Sequence, residues 1–501
     1  MTQPNTASIP VNGTGVDPKA MRVIWLLLVA AFVAILNETT MGIAIPHLNV
    51  DLGIPPELGQ WMTSAFMLSM AVIIPVTGFL LQRFTTRQVF IAAMSLFSLG
   101  TLICLVAPGF TVLLTGRVVQ ALGTGIMMPL LMTTMMNVVP PRSRGRMMGR
   151  VGLVISLAPA IGPTLSGFIL ETLSWRWLFA IILPIALVSL GLGIRWMTNL
   201  GETRHMPIDV LSIVLSGVAF GSIVFGLSQL GTAGDAEAVA VGGMSPVALG
   251  GILLAFGLVM LALFVWCQIV LQRNDRALLD LRVMKSRNFT IAVIIMAVIS
   301  MMMFGTLTLL PLYLQDVVGL DAMMSGVILL PGAVMMGLLG PFMGRIYDAR
   351  GPRVLLVPGT VIVASALLFY SSVSQHTPWP VLMAVQTVMS VGMAMCFTPL
   401  FSASLGSLPR HLYSHGSATL NTLQQVGGAT GVAILIGLYS GILHTGEAAG
   451  LSAAEAGAPG IRLAFLCAAG LALVPLTLSF FVRRPADSEE AEAPVAQPET
   501  N

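Results

Sequence analysis

Only two charged residues lie well inside the apolar stretches of this chain, Glu38 and Arg117. A carboxyl in such surroundings trades a proton with whatever water reaches it. Its preference is set by a contest between apolar burial and a neighbouring guanidinium. Arginine stays charged and cannot carry the proton itself. The pair therefore reads as a proton-exchange site with Glu38 as the carrier. The same two residues also fit a permanent ion pair that ties two helices together. Charge at membrane depth is costly unless paired or hydrated, so either role marks the two as functional candidates.

The elements that must position them are membrane spans. Of the 501 residues, 56% are hydrophobic and 9% charged, against about 25% charged in an average soluble domain. A chain of this kind cannot cover a water-facing surface. Fourteen apolar segments, from 24–46 to 461–482, each come near or exceed the roughly 20 residues a helix needs to cross a bilayer, giving an all-α integral membrane protein. At about 1.5 Å per residue, Glu38 in the first span and Arg117 in the fourth both come to lie about 9 Å below the outer edge of a core roughly 30 Å thick. The two share one level.

Orientation follows from the basic residues. With the amino terminus inside, all of the 24 Lys and Arg fall in inner segments except Arg176 and Arg462 outside and Arg117 within a span. The seven Trp residues lie near span ends, as an interfacial belt places them. Both termini are expected in the cytoplasm of a multi-pass protein of the cell (inner) membrane. The first 20 residues are polar and give no cleavable leader. Cys104, Cys267, Cys396 and Cys467 fall in apolar runs without disulfide or metal spacing.

An internal repeat divides the chain. Gly78, Gln82, Arg83, Thr85 and Arg87 align with Gly344, Asp348, Arg350's neighbour Ala349, Gly351 and Arg353, each set at the inner end of a span. The expected organisation is a cytoplasmic tail over 1–20, a six-helix bundle over 21–200, two inserted helices over 201–272, a second six-helix bundle over 273–484 and a disordered tail over 485–501. Two repeated bundles around a cavity is a transporter architecture.

Several stretches carry a more specific likeness. Leu36-Asn37-Glu38-Thr39-Thr40-Met41-Gly42-Ile43-Ala44-Ile45-Pro46 resembles the first-span motif of the fourteen-span drug:proton antiporters of the major facilitator superfamily, the EmrB/QacA type. Gly116-Arg117-Val118-Val119-Gln120-Ala121-Leu122-Gly123 is similar to the fourth-span motif whose Arg is linked to proton transfer. The stretch from Ala158 to Gly167, with Pro159, Gly162 and Pro163, resembles the fifth-span antiporter motif. Trp175-Arg176-Trp177, Leu278-Leu279-Asp280-Leu281-Arg282 and Leu330-Pro331-Gly332 match further landmarks. The resemblance implies the two-bundle fold with two extra helices, proton transfer through Glu38 near Arg117 and Gln120, and gating by the Pro159–Gly167 stretch. Asn37 stands where the family usually has Asp, with the acid one position later, as in the lincomycin-resistance branch. Gln82 and Thr85 replace the usual Asp and Gly of the first loop motif, whereas Asp348 and Gly351 keep them in the second.

Physics alone gives Pro159, Gly162, Pro163 and Gly167 two readings, a bent helix that rocks or simple close packing. Candidates for a substrate cavity are Asn37, Tyr313, Gln315, Asn421 and Gln425, polar residues in or at the ends of spans, with methionines such as Met335 and Met336 as adaptable apolar lining. His411 and His415 have a metal-like spacing but no acidic or thiol partners, and they read as solvated loop. Asn37-Glu38-Thr39 fits a glycosylation pattern at a depth where none is made, and no Walker pattern points to ATP. The expectation is a monomeric, proton-coupled exporter of drugs or amphipathic small molecules, without cofactor, metal or nucleic-acid partner. The alternatives are export of one endogenous metabolite and, more distantly, a membrane-embedded enzyme or sensor. The loops are too short and too poor in convergent side chains for catalysis.

Overall fold

The computed structural model describes residues 18–54, 56–199, 209–231, 245–274 and 276–484. The tails read as cytoplasmic and disordered lie outside these residues, apart from Pro18–Ala20, which begin the first helix. The helices are α1 (Pro18–Leu52), α2 (Pro56–Arg83), α3 (Thr86–Val106), α4 (Phe110–Val138), α5 (Arg144–Thr172) and α6 (Arg176–Trp196). Next come α7 (Val210–Gly231), α8 (Pro246–Leu271), α9 (Arg287–Leu312), α10 (Ala322–Arg350), α11 (Arg353–Tyr370) and α12 (Trp379–Gly406). The series ends with α13 (Tyr413–Ala448), α14 (Ala453–Leu471) and α15 (Leu473–Ser479).

Among the described residues, thirteen helical stretches are long and apolar enough to cross a membrane, α14 and α15 together making the last. α5 is the fourteenth by length. Its 29 residues extend about 43 Å at 1.5 Å per residue, but Arg144, Arg146 and Arg150 make it less apolar than the rest.

Helices α1 to α6 pack on one another, and α9 to α15 do the same. The two groups meet through α5 on α10 and through α2 and α4 on α13. α7 and α8 pair together, and α7 lies against both α2 and α13, covering the line where those two meet. Gly217 and Gly221 of α7 face Val72 and Leu68 of α2, and the Trp61 and Phe225 rings stand 5.2 Å apart. The inner polar link of this pair runs from Gln268, which donates to Ser212 Oγ at 2.7 Å and accepts from the Leu279 N–H at 3.1 Å.

The end of the bundle where α1 begins and α15 finishes is rich in arginine, and there the two groups are packed shut. A Cβ on Gly344 would meet the Gly145 carbonyl oxygen, and one on Gly149 would meet that of Gly340. Backbones approach this closely only where side chains are absent. Asp348 then accepts from the Gly145 and Arg146 N–H groups at 2.7 and 2.9 Å, capping the first turn of α5 with an anion. On the symmetry-related side, Gln82 donates to the His411 carbonyl at 2.9 Å. Arg144 donates to the Val139 and Met136 carbonyls at the end of α4 and to the Tyr413 hydroxyl at 3.2 Å.

Thr85, the residue standing in place of a loop glycine, caps α3. Its hydroxyl accepts from the Gln88 N–H while the Gln88 side chain accepts from the Thr85 N–H, a capping box. His415 departs from its sequence reading. It belongs to the first turn of α13, is 2% exposed and faces Gly78, with Nδ1 lacking a hydrogen-bond partner. The helix begins at Tyr413, earlier than the apolar run suggests, so this side chain is drawn into the contact with α2. His411 is exposed.

Candidate functional site

Arg117 is the largest fully buried side chain, 1% exposed. It is held by three helices. Along α4 it donates from an Nη to Gln120 Oε1 at 2.7 Å, the residue one turn on. Gln120 in turn donates from Nε2 to Thr101 Oγ1 of α3 at 2.7 Å. The guanidinium carbon lies 4.0 Å from the centroid of the Phe66 ring of α2, a cation–π contact worth about 2 kcal/mol when desolvated. Gly100 and Gly116 let α3 and α4 come close enough for this, since a Cβ on Gly100 would lie 2.6 Å from the Gly116 carbonyl oxygen.

Glu38 is not part of that network. No ion pair within 4.0 Å joins it to Arg117 among the described residues. Glu38 is half-buried, as are Ile35 and Thr39 beside it, whereas Asn37 is 1% exposed. One residue is about 100° of helix, and here that rotation separates an accessible carboxylate from a buried amide. Asn37 shares its face with Met41, Ala44 and Leu48, which pack in the core with Cys104, Leu113 and Phe179. The Asn37 Nδ2 and the Arg117 Nε both lack hydrogen-bond partners.

α5 sets the position of α1 at this level. A Cβ on Gly162 would clash with Thr39 Oγ1, and Ser166 donates to the Thr40 carbonyl at 2.9 Å. Gly162 therefore touches the residue next to Glu38. Gly167 faces open space. α5 is helical without a break through Pro159, which is half-buried, and the Pro163 side chain lies outside the described residues.

The polar residues suggested for a cavity are not gathered together. Tyr313 is fully buried and donates to the Ser374 carbonyl at 2.8 Å, a packing role inside α9–α15. Gln315 is exposed on the turn of wider helix over Tyr313–Val317. Asn421 is buried, and its amide donates to the Ser417 carbonyl within α13 at 2.8 Å. Gln425, one turn on, is half-buried. A narrow apolar gap between the two groups is lined by Met148, Ile155, Met336, Phe397 and Phe401 with Thr398.

The loop-motif residues divide by side. Asp348, Gly344 and Gly78 sit in contacts between the two groups. Arg87 donates to the Ile194 carbonyl at 2.7 Å and Arg353 to the Val482 carbonyl at 3.1 Å, both within their own group. Arg83 stacks near Phe79 and Phe84, 6.0 and 5.7 Å from their centroids. Gly351 ends α10 with φ of 81°, a left-handed conformation that favours glycine.

Phe66 and Thr101 were not singled out from the sequence. Thr101 carries a usable signal, since a hydroxyl in an apolar span needs a partner. Phe66 carries none.

Comparison with known proteins gives a consistent picture. The chain is 40% identical over 463 residues to the MFS-type transporter YcnB of Bacillus subtilis, covering 92% of this chain and 95% of the relative. It is 38% identical over 466 residues to the lincomycin resistance protein LmrB of Listeria monocytogenes, covering 91% and 95%. It is 30% identical over 427 residues to a multidrug resistance protein B homolog of Mycobacterium tuberculosis, covering 84% and 76%. Among solved structures, the human organic anion transporter MFSD10 matches with a TM-score of 0.61 at 14% identity, covering 92% of this chain and all of that one. The Escherichia coli fucose:proton symporter FucP matches at 0.60 and 15%, covering 93% and 99%. These two show the shared fold. The likeness to drug-resistance antiporters read from the motifs agrees with the relatives, and the protein is a multi-pass transporter of small molecules in the cell membrane, not an enzyme. With the family model matching residues 27–432, a buried arginine fixed on its fourth helix and an acid on its first, the chain belongs to the Major Facilitator Superfamily.

Proposed function

We propose that this transporter exports drugs or other amphipathic small molecules in exchange for protons, with Glu38 as the proton carrier. One observation carries the reading: Glu38 is half-buried on α1 and makes no ion pair among the described residues, while the Arg117 guanidinium is held by Gln120 and Phe66, with Gln120 anchored on Thr101. An acid locked in an ion pair would have little freedom to change its protonation. An acid at a fixed distance from an immobile charge has that freedom, and its affinity for protons changes whenever water access changes.

The arginine-rich end is cytoplasmic in this reading, so the conformation is closed to the cytoplasm and Glu38 takes its proton from outside. The six-helix units 21–200 and 273–484 rock about the helix seams, and the inserted helices of 201–272 ride on α2 and α13. Proton loading favours one arrangement, and substrate favours the other, a population shift between two states. The relatives named for lincomycin and multidrug resistance support a drug-like substrate. The protein acts as a monomer.

The test is transport in inverted membrane vesicles energised by a pH gradient. Glu38→Gln should abolish gradient-driven uptake of a fluorescent cationic dye or of lincomycin, and it should abolish substrate-induced proton release from the purified protein. Retained coupling in the Gln variant would remove Glu38 from the mechanism.

A further inference from the structure

A cavity of about 200 Å³ opens at the arginine-rich end, away from Glu38 and away from the seam between the two helix groups. It is lined by Arg287, Asn288, Arg353, Phe481 and Arg483. Three of the five lining residues are arginines, all exposed, and no carboxylate is among the lining residues. Like charges placed this way repel unless an anion joins them.

The frame of the cavity is tied together by its own hydrogen bonds. Arg353 donates from Nε to the Val482 carbonyl at 3.1 Å, which keeps other guanidinium N–H groups available. The Arg483 N–H donates to Asn288 Oδ1 at 2.8 Å, and Asn288 Nδ2 donates to the Ala403 carbonyl at 3.1 Å. These bonds join the starts of α9 and α11 to the chain leaving α15. Arg287 and Arg353 are the first residues of α9 and α11, so two helix amino termini add positive potential to the three charges.

The apolar side of the cavity points to the source of the anion. Phe480 and Phe481, at the end of the last span, are 54% and 53% exposed. A free phosphate has no use for an aromatic wall, whereas a phospholipid presents a phosphate and an acyl chain together. Basic pockets among helix ends at the cytoplasmic face are suited to anionic headgroups, and arginine matches phosphate with paired N–H donors.

We propose that this cavity binds the phosphate of an anionic phospholipid, held by Arg287, Arg353 and Arg483 with the acyl chain against Phe481. Bound there, the lipid bridges α9, α11 and the end of α15 and stabilises the second helix group.

The experiment uses the full chain in neutral detergent and follows thermal unfolding with added dioleoyl phosphatidylglycerol, phosphatidylcholine or inorganic phosphate. Ligands that bind the folded state raise the midpoint in a saturable way. Phosphatidylglycerol should do so, and the apparent affinity should fall at least fivefold in Arg287→Gln/Arg483→Gln. Equal stabilisation by phosphatidylcholine, or an unchanged affinity in the variant, would overturn the site. The full effect from inorganic phosphate alone would uphold an anion site and overturn the lipid as its source. A phosphatidylglycerol effect seen only in a chain ending at residue 484 would overturn lipid binding in the intact protein and assign the cavity to the acidic residues of 485–501. If the double variant does not fold, native mass spectrometry of the wild type carries the test. Phosphatidylglycerol must then stay bound under activation that strips phosphatidylcholine, and its loss alongside phosphatidylcholine overturns the proposal.

Discussion

Asp348, in the last turn of α10, accepts the backbone N–H of Gly145 at 2.7 Å, reaching from one helix group to the first turn of α5 in the other. The Arg146 N–H adds a second bond at 2.9 Å. An anion on a helix amino terminus is favourable through the helix dipole as well as the bonds themselves. Asn in this place keeps an acceptor and loses the charge, at a cost of about 1 kcal/mol to the closed arrangement, or about fivefold in the opening equilibrium. Asp348→Asn should therefore broaden the distance distribution between spin labels at exposed Arg146 and Arg345 towards longer separations. A distribution identical to the wild type would deny the contact its latching role.

The symmetry-related contact works with opposite polarity, because Gln82 donates to the His411 carbonyl rather than accepting from N–H groups. Installing the family's usual acid here removes the donor and points a carboxylate at a carbonyl. Gln82→Asp should weaken closure on this side, with a loss of transport rate, rather than strengthen it. Faster transport in this variant would show that the side chain turns instead to the amino terminus of α13.

Gly162 and Gly167 belong to one motif and meet different surroundings. A methyl on Gly162 would displace Thr39, the neighbour of Glu38, while one on Gly167 meets nothing within 4 Å. Gly162→Ala should reduce proton-coupled export at least tenfold with normal expression, and Gly167→Ala should stay within twofold of wild type. Equal effects of the two would place the motif's role elsewhere than the α1 contact.

Gln120→Ala leaves an N–H of the buried Arg117 guanidinium without its acceptor, a cost of about 1–3 kcal/mol. The expected result is a lower thermal midpoint together with reduced export. Arg117→Lys keeps the charge and loses the planar stack on Phe66, so it should retain fold and lose most of the coupling. Wild-type coupling in the Lys variant would reduce Arg117 to a simple point charge.

Much of this was legible in the sequence because membrane depth is a strict filter. Fourteen apolar segments identify the helices without any tertiary information, and two intramembrane charges single out Glu38 and Arg117. What escaped depends on partners distant in the chain. Tyr313 reads as a polar residue near a span end, yet its hydroxyl is spent on the Ser374 carbonyl of another connection. His415 reads as solvated because the apolar run of α13 starts after it, but Gly78 leaves a space that the ring fills. Phe66 looks like any other apolar residue until Arg117 lies over it. Side-chain direction on α1 was open for the same reason, since the pattern gives the period and not the absolute rotation.

That rotation yields the sharpest prediction. Asn37 is 1% exposed and faces the core formed by Met41, Ala44 and Cys104, while Glu38 keeps accessible surface. Moving the acid back to the position usual in the family, as Asn37→Asp with Glu38→Gln, places a carboxylate on the face nearer the α3–α4 interior. There it lies against the core of Met41, Ala44 and Cys104 and loses its route to water. The double variant should fold, because Asp is close in size to the Asn it replaces and fits the same space. It should nevertheless export at less than a tenth of the wild-type rate under a pH gradient. Full activity of the swapped protein would mean that either face of α1 reaches the proton path, and that the half-buried position of Glu38 is not what selects it as the carrier.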